Sequence, residues 1–181
     1  MAHSIETREL RRRVQSFLKR RAEKTPQGMP DPSADLTLMD CDGPTGSLVL
    51  SYQTKPWMAN IWGVVHGGVV ANLVDTCMGI TCAAQCGVIT PTISITVNYA
   101  RPVPLDAGVI VRTRTIRCGA TSGQMTAEVC LPGQPDRPLA TASGAYCTKP
   151  NDLGGGEPLW DEDKTAATGA IPARRVTPES I

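Results

Sequence analysis

The chain has 181 residues, with 18 lysine and arginine side chains against 17 aspartate and glutamate, a net charge of +1. That length suits one domain with terminal additions, and so even a charge argues against bulk electrostatic binding of nucleic acid. No run approaches the roughly 20 apolar residues that cross a bilayer, and the N-terminus lacks the apolar stretch of a signal peptide, so a cytoplasmic protein is expected.

Residues 5–24, IETRELRRRVQSFLKRRAEK, place Leu10, Val14, Phe17 and Leu18 in one stripe and predict an amphipathic helix. Residues 1–24 hold eight basic and three acidic side chains. A docked helix with a solvated cationic face fits that excess; a nucleic-acid contact or a polyanion-binding lip beside an active site are the sharper readings. Thr25-Pro26 ends the segment, and residues 28–35, GMPDPSAD, read as a loop. Residues 47–53, SLVLSYQ, alternate as a strand.

The run NIWGVVHGGVVANLVDTCMG, residues 60–79, opens a helix expected from near Gly67 to about Gln85, ending before Gly87. It is apolar nearly all round and must be wrapped by other elements. Four segments of period-two alternation follow. In PTISITVNYARP, Ile93, Ile95, Val97 and Tyr99 fall on one face and Thr92, Ser94, Thr96 and Asn98 on the other. GVIVRTRTIRC, GQMTAEVCL and PLATASGAYCTK complete the set, joined by connections short enough for antiparallel neighbours. The implied fold class is α+β, with about five antiparallel strands curved around one long central helix. Its divisions are 1–44, a basic helix and loop; 45–149, the domain; and 150–181, a glycine- and proline-bearing tail expected to be flexible or ordered only against a neighbour. An open sheet exposes edges, so pairing with a second copy is expected.

Seven cysteines stand at 41, 77, 82, 86, 118, 130 and 147, with no CxxC pair, and the two histidines are His3 and His66. Zinc-ligand spacing is therefore missing. Cys77, Cys82 and Cys86 read as small core residues, and a reduced chain with no metal and no cofactor is expected.

Two features carry chemistry. His66-Gly67-Gly68 stands where the apolar helix begins, and a first helical turn presents unpartnered N–H groups at the positive end of the dipole. Glycine lets another group approach that backbone, which makes a site for an anion or a developing oxyanion; close helix–sheet packing explains the glycines equally well. Asp75, in a small and mainly apolar surround, is either a base sharpened by desolvation or a structural acid bonded to neighbouring backbone. It lies eight residues after Gly67, about 12 Å along the axis, too far for both to serve one reacting carbon within one chain.

The spacing Asn60–x5–His66-Gly67-Gly68–x6–Asp75, followed by TISITVNYARPV at 92–103, resembles the hotdog-fold thioesterase superfamily. Within it, the match is to the branch of the phenylacetate-pathway thioesterases and thioesterase superfamily member 2, over roughly residues 45–148. The resemblance implies a central helix wrapped by an antiparallel sheet, and a homodimer or a homotetramer built as a dimer of dimers. Active sites would lie at the subunit interface, pairing Asp75 with the partner subunit's Gly67. Asp75 would be the general base for water, or a direct nucleophile. The Gly67 N–H would polarise the thioester carbonyl, Asn60 would hold water or carbonyl, His66 would shape the oxyanion loop, and Thr92 would supply a hydroxyl beside the acid. The substrate implied is an acyl-CoA, hydrolysed to acid and CoA. The CoA end would meet the turn RCGATS, with Arg117, Gly119 and Thr121, together with Gly68, Ser94 and Tyr99. Ala120 stands where a second basic residue commonly follows the glycine, which leaves Arg117 to meet a phosphate and leaves CoA against a carrier-protein thioester open. Trp57, Met58, Trp62 and Met78 are the expected neighbours of the acyl pocket.

Two alternatives share the fold: an acyl-thioester dehydratase or hydratase, and a non-enzymatic acyl-thioester-binding regulator. Water addition to an enoyl-CoA without thiol release marks the first. Salt-resistant, site-specific DNA binding marks the second, for which a single helix of about 20 residues is too short a module.

Overall fold

The structure, a computed structural model, describes residues 5–24 and 35–150. The loop expected at 28–35 and the tail expected from 150 therefore lie almost wholly outside the described residues. Two helices, α1 (Thr7–Lys24) and α2 (Gly67–Cys86), accompany six strands: β1 (Thr37–Asp42), β2 (Ser47–Gln53), β3 (Thr92–Tyr99), β4 (Gly108–Cys118), β5 (Ser122–Cys130) and β6 (Ala140–Cys147). One antiparallel sheet holds them in the order β1-β2-β4-β5-β6-β3. The fold is α+β as expected, with one strand more. β1 escapes the sequence reading because TLMDCD does not alternate cleanly and a register shift breaks it between Leu38 and Asp40. The domain boundary expected at residue 45 thus cuts the β1–β2 hairpin.

The inward positions of the strands follow the pleat. Leu48, Leu50 and Tyr52 of β2, Val109, Val111 and Thr113 of β4, Met125, Ala127 and Val129 of β5, and Ala140, Ala142 and Tyr146 of β6 are buried. They close over α2, whose Val70, Leu73, Val74, Cys77, Met78 and Ile80 are buried as well. By length and composition α2 could cross a membrane, contrary to the first reading of the sequence, but here its apolar surface is largely taken up within the protein. The Thr81 hydroxyl donates to the Cys77 carbonyl at 2.8 Å and meets the Thr113 hydroxyl at 2.6 Å, which satisfies both buried side chains.

α2 is capped at both ends. Nδ1 of His66, at the N-cap, accepts from the Gly68 N–H at 2.9 Å. Gly87 ends the helix at φ +73, its N–H donating to the Ala83 carbonyl. α1 docks beside that end. Its Leu10 and Val14 are fully buried, Arg13 donates to the Ala84 carbonyl at 2.9 Å, and the Thr7 hydroxyl accepts from the Gly43 N–H at 2.9 Å. Glu9 binds Arg12 and Arg13, and those guanidiniums hold its carboxyl down at about 2. Such a depressed group stabilises above its ordinary range and loses that contribution as pH falls through the folded value; part-exposed, it contributes little.

The cysteines depart from expectation at one place. Cys86, last in α2, is disulfide-bonded to Cys118, last in β4. Spacing alone could not show this pairing, since only the fold brings the two Cα atoms to 6.5 Å. The other five are buried and outside any disulfide. Burial pushes the Cys82 thiol up to about 12 and Cys77 higher still, as core residues behave.

Because α1 contributes fully buried side chains, it belongs to the folded unit. Leu10→Ala is expected to cost about 3 kcal/mol, measured by chemical denaturation with coincident circular dichroism and fluorescence transitions. A loss below about 0.5 kcal/mol would show α1 to be an undocked appendage.

Candidate active site

Asp75 stands mid-way along α2, half-buried, on the side that meets β3 and β6. The Thr92 hydroxyl lies 3.0 Å from its Oδ1 and 3.3 Å from Oδ2. The Tyr146 hydroxyl reaches Oδ1 at 3.0 Å and the Asp75 carbonyl at 3.1 Å. A carboxylate is the stronger acceptor of the two, so the phenol's proton favours Oδ1. Burial, reinforced by the Asp75 charge, pushes the Tyr146 phenol well above its ordinary value, and it stays a donor at neutral pH.

Thr92 reaches Asp75 because β3 is irregular at its start. Strict alternation puts Thr92 on the face opposite Ile93 and Ile95. In the structure Thr92 pairs with Tyr146 and Ile95 with Gly144, and the register shifts between Thr92 and Ser94. The extra residue, Ile93, lets Thr92 and Ile95 both share the Tyr146 face. Gly144 leaves the space that the phenol needs: a Cβ there would sit 2.9 Å from the Tyr146 ring. Tyr146 is thus a site residue that sequence reasoning missed. Its only signal was an aromatic at an inward position of β6, which looks like ordinary core.

A cleft of about 280 Å³ opens beside Asp75, bounded by Thr76, Ile80, Ala83, Thr92 and, from α1, Phe17 and Arg21. A second cleft of about 350 Å³ lies at the start of α2, bounded by Asn60, Gly67, Tyr99, Arg101 and Val103. The two share no residue, so one chain holds acid and helix start apart, as their spacing required.

At the second cleft the groups divide their work. The Gly68 N–H is taken by His66, whereas the Gly67 N–H meets no acceptor among the described residues. Of the two glycines, only Gly67 can offer its N–H to an oxyanion. Tyr99 donates its hydroxyl to the Gly67 carbonyl at 2.8 Å, and a Cβ on Gly67 would touch its ring at 3.4 Å. Asn60 Oδ1 accepts from the N–H groups of Trp62 and Val64 at 2.9 and 3.3 Å. That fixes the amide's orientation, with the oxygen spent on the 60–64 turn and Nδ2 left to donate.

The expected CoA contacts are dispersed. Arg117 and Thr121 are exposed around the β4–β5 turn, where the Gly119 N–H donates to Ser122 and its carbonyl accepts from the Thr148 hydroxyl at 2.7 Å. Ser94 is exposed on the outer face of β3. Among the expected pocket neighbours, Met58 and Met78 are core residues, and Trp57 and Trp62 are 52% and 79% exposed. None of the four lines either cleft, because the methionines point into the sheet–helix core and the tryptophans ride on the loop ahead of α2. No group of three or more histidine, cysteine, aspartate or glutamate side chains among the described residues could hold a metal ion.

The family profile described as thioesterase superfamily matches residues 63–136. Over this part the chain is similar to the thioesterase superfamily. Among curated proteins, an acyl-coenzyme A thioesterase THEM4 from Xenopus laevis is 31% identical over 67 residues, 37% of this chain and 30% of that protein. The chain therefore spans under a third of that relative's length. Among solved structures, the Escherichia coli PaaI protein of the phenylacetic acid degradation operon superposes with a TM-score of 0.65 at 17% identity, over 79% of this chain and 95% of its own. Zebrafish thioesterase superfamily member 2 superposes at 0.62 with 14% identity, over 80% and 99%. At such identities these likenesses speak for the fold alone, the hotdog fold.

The His66 cap should be separable from any chemistry at the two clefts. His66→Ala is expected to lower unfolding free energy by about 1 kcal/mol, and His66→Asn to restore most of it by keeping an acceptor. Equal losses in both variants, read from denaturant midpoints, would show that the cap bond contributes nothing.

Proposed function

We propose that the chain is an acyl-CoA thioesterase, acting as a homodimer whose two active sites each combine Asp75 of one protomer with the partner subunit's Gly67. The observation that supports this reading is the separation just described. Asp75 is oriented by two hydroxyl donors beside one cleft, and the unpartnered Gly67 N–H stands at another that no residue of the first cleft shares.

In the proposed reaction Asp75 takes a proton from a water, and the resulting hydroxide adds to the thioester carbonyl. Thr92 and Tyr146 donate to the carboxylate throughout and fix its direction. Negative charge grows on the carbonyl oxygen, where the partner subunit's Gly67 N–H and the partner subunit's Asn60 Nδ2 would receive it; such a donor is worth about 3–4 kcal/mol at the transition state. Collapse breaks the C–S bond. The proton held by Asp75 returns to the departing sulfur, leaving a free acid and the CoA thiol. Arg117, Gly119 and Thr121 at the β4–β5 turn, together with Ser94, are the groups offered to the nucleotide and pantetheine.

A second copy has a place to bind. β3 pairs with β6 on one side only and leaves its outer edge open, whereas β1, at the opposite edge, is short, irregular and tied to α1 through Arg11–Asp40 and Thr7–Asp42. Near the open edge and on the loop before α2, Ile93, Tyr99, Ile61 and Trp62 are 59%, 54%, 89% and 79% exposed, the composition of a surface meant to be covered. Edge-to-edge pairing of two β3 strands would continue the sheet and carry each Asp75 toward the other protomer's helix start.

Purified protein should release thiol from acyl-CoAs, and Asp75→Asn should lower kcat by about a hundredfold or more, read with a chromogenic thiol reagent. Wild-type turnover in Asp75→Asn would remove the base assignment. Light scattering should give twice 19.2 kDa or a multiple of it, and Ile93→Lys should shift the population toward a monomer with turnover lost in parallel. A fully active monomer would refute the shared site.

A further inference from the structure

We infer that Phe17 of α1 is the specificity-determining residue at the far end of the acyl cleft, limiting it to short-to-medium alkyl or aryl acyl groups. This rests on the thioester-hydrolase reading above and adds the acyl class to it.

The argument begins with how α1 lies on α2. The first turn of α1 meets the C-terminal end of α2: the Thr7 hydroxyl holds the Gly43 N–H, and Gln85, near the end of α2, donates to the Gly43 carbonyl at 3.5 Å. Two turns on, Arg13 binds the Ala84 carbonyl. α1 thus starts at the C-terminal end of α2 and runs back along it toward Asp75. Residues 13, 17 and 21 follow one another at four-residue spacing on one face, about 6 Å apart. With Arg13 fixed at Ala84, Phe17 falls one turn nearer Asp75 and Arg21 nearer still, and both border the Asp75 cleft.

An acyl group whose carbonyl sits at Asp75 has this cleft before it. Ile80, Ala83, Ile89 and Pro91 line it with apolar surface. From Asp75 to Ala83 the helix rises about 12 Å, which sets the span of the cleft along α2. Phe17, the only phenylalanine in the chain, is the largest apolar group on the wall. It is packed against the core yet part-exposed to the cleft. Leu10 and Val14 on the same helix are fully buried, so the backbone that carries the ring is held in place. A methylene more or less in such a pocket changes kcat/KM by about tenfold or more, and a rigid aromatic end wall is the means of imposing that step.

The test compares wild type, Phe17→Ala and Phe17→Trp on acetyl-, hexanoyl-, decanoyl- and palmitoyl-CoA, with melting curves alongside. Phe17→Ala should raise the palmitoyl-to-hexanoyl ratio of kcat/KM by about tenfold, and Phe17→Trp should move the optimum toward acetyl. Should Phe17→Ala lose its native melting transition, Phe17→Leu takes its place with a smaller shift in the same direction. Unchanged ratios in folded variants would overturn the inference. The same series is run as binding of S-alkyl-CoA thioethers, which cannot be hydrolysed. A chain-length shift in binding with no turnover by any protein would uphold the cleft assignment and remove the thioesterase reading.

Discussion

The contact of two hydroxyls with one carboxylate organises this molecule. Asp75 sits half-buried in a helix whose buried side packs against the apolar interior, where a charge left without partners is costly. Thr92 and Tyr146 supply the partners, one from an edge strand and one from its neighbour. To bring them there the chain needs a register shift in β3, a glycine at 144 and a fixed phase between β6 and α2. None of these is called for by core packing alone. Together they hold a carboxylate in direction beside a cleft, the arrangement that the proposed role as a base requires.

The same sheet is asymmetric in its edges, and the asymmetry follows from α1. Docking of α1 covers β1 and ties it down through Arg11 and Thr7, so β3 remains the edge at which another chain can add. α1 therefore has two effects at opposite ends of the domain. It leaves β3 as the open edge of the sheet, and it walls the cleft at Asp75 with Phe17. Two of its cations help to seat the helix, Arg13 on the end of α2 and Arg11 on Asp40, while Arg12 and Arg13 pair with Glu9 within α1.

Much of this arrangement was legible in the sequence. The apolar period of α2, its glycine borders and the four alternating segments gave the elements within a residue or two, since each is driven by local patterning. The spacing of Asn60, His66, Gly67 and Asp75 carried the resemblance from which the candidate site was read. What stayed hidden depends on register, which single-sequence patterns do not encode. Tyr146 looks like core until Gly144 and the β6 phase aim it at Asp75. β1 hides behind its own irregularity, and Cys86 and Cys118 meet only after α2 and β4 are placed. The role of Asn60 was half visible, since an asparagine before a tight turn bonds its own backbone, and only the donor end of its amide is left for another partner.

The irregularity at Ile93 acts as a phase-shifter within a single strand. Before it, the strand answers to the needs of a carboxylate; after it, to the needs of an aliphatic interior, with Ile95 and Val97 packed against the core. A regular pleat could satisfy one demand or the other, never both on one face. Chain length between Thr92 and Ser94 is thus quantised: losing or gaining one residue there would turn a polar group away from the acid or an apolar one out to water, although the alteration would look like a trivial indel at a strand end.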